Sequence, residues 1–196
     1  MPRKNIRPIM GRPLISWSID AGRESKYIDR LVVSTEDKEI AEVATREGAE
    51  VLWRPAELAN DDTTTVAVLQ QVLEEIDADV VVLLQPTSPV RVDNILDRAI
   101  ERFLGTGVDS LSTGSMIKAV EWGTIQNTPR QQIKGFFYDD GCVIINKAWV
   151  LRQGRWFGDT REAMIVAKHY NFELDDEVDF WVVERIMEML LKRSEK

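Results

Sequence analysis

Four short stretches carry side chains whose types and spacing could do chemistry. In Phe172-Glu173-Leu174-Asp175 two carboxylates alternate with two apolar residues. In an extended segment, residues two apart face the same side. Glu173 and Asp175 can therefore point at one cation, with Phe172 and Leu174 turned to a core. Hard divalent cations take oxygen ligands of this kind. Arg54 precedes Pro55, which holds its backbone extended. Gln85 opens Gln85-Pro86-Thr87-Ser88-Pro89, a polar loop stiffened by two prolines. An amide there can bond both a hydroxyl and a phosphate, while Thr87 and Ser88 suit a helix cap. Arg130, in Pro129-Arg130-Gln131-Gln132, offers a guanidinium fork that suits a carboxylate. Arg3-Lys4-Asn5 reads on composition alone as a solvated basic terminus.

The elements that must position these residues follow from apolar periodicity. A helix is expected from Pro13 through Leu14, Ile15 and Ile19, and a second from Asp37 to Glu47 with Gly48 as its stop. Others are expected over about 63–76, Ile95 to Leu104, and Asp176 to about Lys192. Short strands are predicted at Leu31–Ser34, Glu50–Leu52, Val80–Leu84, Ser110–Ser112, Cys142–Ile145 and Ala163–Ala167. The continuous run Val80–Leu84 suggests burial on both faces, as in a parallel sheet covered by helices. Alternating strands and helices imply one α/β domain over 1–196, a doubly wound, mostly parallel, Rossmann-like sheet. Such sheets bind ligands beyond their strands' carboxyl ends. That places Arg54, Asp61, Gln85 and Arg91 near a common cleft. Two excursions are expected, at about 114–138 and 149–160.

Composition narrows the function classes. The 196 residues are 44% apolar and 30% charged, with a formal net charge of −8. An acidic excess argues against coating nucleic acid, which needs basic surface. No apolar run approaches a membrane span, and no signal-peptide core follows Met1. The single cysteine, Cys142, excludes an intrachain disulfide and suits a cytoplasmic setting. On its apolar strand it reads as a core residue. His169, the only histidine, reads as a packing or surface residue.

Taken in order, Arg3-Lys4-Asn5, Arg54-Pro55-Ala56-Glu57-Leu58-Ala59, Leu84-Gln85-Pro86-Thr87-Ser88-Pro89-Val90-Arg91, Pro129-Arg130-Gln131-Gln132 and the late acidic cluster make the chain resemble the acylneuraminate cytidylyltransferases. The resemblance runs from Pro2 to the closing helix. It implies a Mg2+-dependent reaction in which the anomeric hydroxyl of an acidic nine-carbon sugar attacks the α-phosphate of CTP and pyrophosphate leaves. It further implies that Lys4, Asn5 and Arg54 hold the nucleotide, with Lys4 neutralising phosphate charge. Gln85 and Arg130 would hold the sugar, and Glu173 and Asp175 the metal. Trp156 and Phe157 match a pair that reaches a neighbour's sugar site across a homodimer, though ordinary interface packing explains them equally well. Two other readings stay open: a dimeric homologue that binds without turnover, and a cytidylyltransferase for another sugar acid such as Kdo.

The chain also departs from the family pattern. Members begin with a buried strand and an Arg-x-x-Ser-Lys phosphate loop ahead of the residues matching Pro2–Asn5, and here those residues follow Met1 directly. The favoured account is an internal methionine in a longer, active protein; the other is a short form that is weak or inactive. Glu173 stands where the family usually has aspartate, Asp140-Gly141 replaces Asn-Gly, and Ile144 replaces an aromatic. An extra carboxylate beside an acidic sugar is unfavourable unless paired. The excursion before Arg130 also looks shorter than usual, which would shrink a dimer interface.

Overall fold

Asp37 starts the best-defined helix: its carboxylate accepts from the backbone N–H groups of Glu39 and Ile40, a cap that contributes about 1 kcal/mol. Helix α2 (Lys38–Arg46) then buries Ala41, Val43 and Ala44 on one face and ends before Gly48, whose φ of +89° needs a glycine. Thr64 caps α3 (Thr65–Glu75) and Asp176 caps α6 (Glu177–Ser194) in the same way, whereas α1 (Leu14–Glu24), α4 (Ile95–Thr106) and α5 (Ala148–Arg152) bury an apolar face without a side-chain cap. The strands are β1 (Pro8–Ile9), β2 (Arg12–Pro13), β3 (Val32–Thr35), β4 (Glu50–Trp53), β5 (Val80–Leu83), β6 (Ser110–Ile117), β7 (Phe136–Lys147) and β8 (Arg161–Ile165). This computed structural model describes residues 3–60, 62–124 and 127–194.

The α/β class expected from the sequence is present, with a mixed strand arrangement. β3 and β4 pair in parallel. A four-stranded sheet runs in the order β5-β7-β6-β8, with β6 and β8 parallel and β7 antiparallel to both β5 and β6. The run at Val80 is therefore a strand with an antiparallel partner, and it is only half-buried. Among the described residues no backbone ladder joins β3–β4 to β5–β7–β6–β8. Helix α1 joins them instead: Leu14 belongs to the larger core, while Ile15 and Ile19 belong to a smaller one with Val43, Ala44 and Ala49.

The larger core gathers Leu111, Val143, Ile145 and Leu174, all with no solvent exposure, under α4 and α6. Each such side chain contributes roughly 1.5–3 kcal/mol by leaving water. Cys142 lies in this core, as expected. The segment 114–138 is not a departure from the sheet at its ends, because the β6–β7 ladder extends to Ile117 and Phe136. Likewise Trp149 sits in α5 rather than in an irregular excursion. No helix of the described residues is long and apolar enough to cross a membrane.

Candidate active site

The carboxyl end of β5 and the turn within β7 meet at Gln85 and Gly141. The Gln85 N–H donates to the Gly141 carbonyl at 3.3 Å, and the Ser88 hydroxyl donates to the Asp140 carbonyl at 2.6 Å. Gly141 has φ +64°, and a Cβ there would lie 1.8 Å from Gln85 Oε1 and 3.2 Å from Glu173 Oε1. Only a glycine lets the Gln85 amide and the Glu173 carboxylate approach this backbone together.

The acidic strip is held from both sides. The Leu174 N–H donates to the Thr87 carbonyl at 2.9 Å, and Lys4 Nζ donates to the Leu174 carbonyl at 2.6 Å. Leu174 is fully buried and Phe172 packs on the same core, so the alternation puts Glu173 and Asp175 on the other side. Lys4 also lies 3.3 Å from Asp175 Oδ1. The next acids serve α6: Asp176 accepts from Val178 and Asp179, while Asp179 accepts from Asp175 and Asp176. Arg7 grips Glu177 with two nitrogens at 2.5 Å.

Lys4 is the link between the halves of the molecule. Its turn, Lys4–Ile6, lies against α1 and α2. Arg3 pairs with Glu39 of α2, and Ile6 packs on the smaller core. From there Lys4 Nζ crosses to the acidic strip. Asn5 occupies the same turn, partly exposed.

Arg54 follows β4 at the corresponding end of the smaller sheet. Its Nη2 donates to the Ser34 carbonyl at 2.8 Å, and its Nε lies 3.3 Å from Glu36 Oε2 without hydrogen-bond geometry. Asp61 lies outside the described residues. Arg91, expected at the cleft, turns inward and spends its guanidinium on protein acceptors.

The aromatic pair and Arg130 are not brought to this site within one chain. Arg130 sits on an exposed turn between β6 and β7, and its carbonyl accepts from Lys118. Among the described residues its guanidinium has no ion-pair partner. Trp156 packs beside Leu69, Leu73, Ala148 and Leu151, with Phe157 edge-on at 5.8 Å. Ala148 bonds Asp79 at the start of β5, the opposite end from Gln85. His169 packs on Tyr170, with ring centres 4.3 Å apart, in keeping with its structural reading.

Tyr138 is a site residue that the sequence reading missed. Its hydroxyl lies 3.4 Å from Glu173 Oε2. No local pattern marks it, because Glu173 is thirty-five positions on.

Electrostatically the site is short of positive charge. Burial, then Asp175, Asp139 and Asp140, push the Glu173 carboxyl above its ordinary range, against the pull of the Tyr138 hydroxyl. Tyr138 is raised in turn, chiefly by Glu173. A cation would relieve both. Among the described residues no three acidic, histidine or cysteine side chains converge as a metal cage. Two carboxylates, one half-buried and one exposed, fit an ion whose remaining ligands are waters and phosphates.

A shallow groove of about 550 Å3 lies elsewhere, between α2 and Trp53, lined by Lys38, Glu42 and Arg46 among others. It lacks both the loop and the acidic strip.

Comparison with known proteins places this geometry in context. Residues 1–127 match the family model described as Cytidylyltransferase. The chain is 28% identical to the CMP-N,N'-diacetyllegionaminic acid synthase of Legionella pneumophila over 96% of this chain and 91% of that protein. It is 29% identical to the N-acylneuraminate cytidylyltransferase of Streptococcus agalactiae over 92% of this chain, spanning 48% of that longer protein. Among solved structures, a CMP:2-keto-3-deoxy-manno-octonic acid synthetase complexed with CTP superposes with a TM-score of 0.74 at 11% identity, covering 96% of this chain and 93% of that one. That likeness is one of fold. With the family model matching well over half of its length, the chain belongs to the cytidylyltransferase family.

Proposed function

We propose that this protein transfers CMP from CTP to a nonulosonic acid and releases pyrophosphate. The observation that carries the reading is the meeting of Lys4, Gln85, Gly141, Glu173 and Asp175 at one end of the sheet. The similarity to a legionaminic acid synthase and to an N-acylneuraminate cytidylyltransferase supports the substrate class.

In this reading the sugar's anomeric oxygen bonds to the α-phosphorus as the bond to pyrophosphate breaks, and the hydroxyl proton leaves to water. Little covalent work falls to the protein, so positioning and charge dominate. Lys4 neutralises a phosphate oxygen, taking with it the charge it now shares with Asp175. Asn5 and Arg54 hold the nucleotide, with Arg54 giving up its contacts to Ser34 and Glu36. Gln85 orients the sugar through its amide, and Tyr138 keeps Glu173 in place until the substrates arrive. Glu173 and Asp175 would hold Mg2+, which when bound offsets phosphate charge and aligns the leaving group. Arg130 would meet the sugar carboxylate.

A homodimer suits the positions of Arg130, Trp156 and Phe157, which one chain leaves away from Gln85. The β6–β7 extension carries exposed Met116, Trp122 and Phe136, a surface that a second copy would cover. We place the reaction in the cytoplasm, a setting the lone buried thiol suits.

The test is pyrophosphate release with CTP, Mg2+ and a panel of N-acetylneuraminate, legionaminate, pseudaminate and Kdo. Release with a nine-carbon acid supports the reading. CTP and sugar binding with no release from any acid would replace it with a binding protein, and sedimentation at the mass of one chain would remove the dimer.

A further inference from the structure

An arginine beside a candidate anion site invites assignment as a substrate ligand, and the geometry of Arg91 argues otherwise. Its Nε donates to the Cys142 carbonyl at 2.7 Å, Nη1 to the Ser18 hydroxyl at 2.8 Å, and Nη2 to the Gln85 carbonyl at 2.8 Å. All three nitrogens are therefore engaged with protein. The three acceptors belong to α1, to β7 just beyond Gly141, and to the residue whose amide reaches the site. Ser88 and the Gln85 N–H add two bonds from the same loop to Asp140 and Gly141.

These acceptors are all neutral. Two residues before Cys142 lies Asp140, whose carboxyl is pushed above its ordinary range by burial, a rise that the Arg91 charge opposes. It has no solvent exposure, and its Oδ1 accepts from the Thr113 hydroxyl at 2.9 Å and the Cys142 N–H at 3.0 Å. Among the described residues its Oδ2 is buried without a hydrogen-bond partner. The carboxylate that breaks the family's Asn-Gly pattern thus faces into the protein, beneath the site.

We infer that Arg91, through its bonds to Ser18, Cys142 and Gln85, is a positioning residue that fixes Gln85 against Gly141 and Glu173 on the sugar side. This rests on the proposed cytidylyl transfer for its kinetic readout only. Arg91 acts through backbone carbonyls, so it shapes the sugar pocket without touching either substrate. The nucleotide side, at Arg54 and Asn5, is not tied to it.

Cys142 provides a readout independent of activity. The thiol is fully buried, lies 3.6 Å from the Val90 carbonyl, and is pushed up to about 12 by burial. It is the only cysteine, so a disulfide reagent reports opening of this loop alone. Arg91→Lys keeps the charge but cannot reproduce the planar fork. Ser18→Ala removes one acceptor from a different element and keeps α1 intact. For Arg91→Lys, in the full chain, the thiol should react at least tenfold faster. KM for the sugar acid should rise on the order of ten- to hundredfold, the scale of an ångström-sized misplacement, while KM for CTP stays within about twofold. Ser18→Ala should move the thiol rate and the sugar KM in the same directions by less, and it decides the matter if Arg91→Lys does not fold. Equal shifts in both KM values, or a thiol protected as in the parent, would overturn the inference. If the parent chain turns over no sugar acid, the transfer reading fails separately, and the thiol rates still decide whether Arg91 closes the loop.

Discussion

The two sheets of this molecule hold their candidate site residues to different degrees. Around β5–β7–β6–β8 the site residues stand on a continuous buried core, and the Gln85 N–H, the Ser88 hydroxyl and Arg91 Nε stitch the Gln85 loop to the carbonyls of Gly141, Asp140 and Cys142 in β7. Around β3–β4 the strands are half-buried, and the smaller core has five buried residues. Ser34 Oγ is buried without a partner, and Arg54 is committed to Ser34 and Glu36. The halves meet through α1 and through Lys4. On the proposed reading, the contrast teaches that the sugar side would be pre-organised, whereas the nucleotide side would have to exchange internal contacts for phosphate.

The largest expected effect lies where the halves meet. Glu173→Ala or Asp175→Ala should lower turnover about a hundredfold or more, the scale of removing one group that stabilises developing charge. Measured single-turnover rates at saturating Mg2+ check this, and unchanged rates in both variants would detach the acidic strip from the chemistry.

Next in size is Gly141→Ala. The new Cβ would displace the Gln85 amide and sit at an unfavourable φ of +64°, costing about 1–2 kcal/mol of stability. Sugar KM should rise roughly tenfold with CTP affinity unchanged. A variant that weakens CTP equally would erase the distinction between the two sides.

Freeing Arg54 should have a smaller effect of opposite sign. With Glu36→Gln the guanidinium loses a half-exposed ion pair, and CTP should bind about threefold tighter by titration calorimetry, within the range of such surface pairs. Weaker binding would mean that Glu36 orients Arg54 for the nucleotide.

The smallest effect is thermal. Burial and neighbouring carboxylates raise the folded-state pKa of Glu173. Its contribution to stability is therefore fully present below the ordinary carboxylate range and is lost as pH rises through the raised value. Glu173→Gln should flatten that loss and raise Tm near pH 7 relative to the parent. Mg2+ should raise the parent's Tm and leave that of Glu173→Gln nearly unmoved.

What the sequence discloses follows the range of the interactions. Helix α2 was legible because Asp37, the i, i+3, i+4 apolar positions and Gly48 are all local. The alternation through Leu174 was legible for the same reason, as was the polar loop opened by Gln85. The pairing of β5 was not, because its partner β7 arrives from some sixty residues away and runs antiparallel. Arg91 looked like a cleft residue until Ser18 and Cys142, distant in sequence, enclosed it. Tyr138 escaped because its partner Glu173 is thirty-five positions on. Trp156 and Arg130 carry motif signals whose meaning depends on a neighbour's surface rather than on their own chain.

Backbone hydrogen exchange with and without CTP and Mg2+ tests the joint site most directly. The account predicts that nucleotide slows exchange at 4–6, 34–36 and 173–176 together, with the largest change around β3–β4 and little at β7, where the backbone is already fixed. Protection confined to the groove between α2 and Trp53, with 4–6 and 173–176 unaltered, would contradict it.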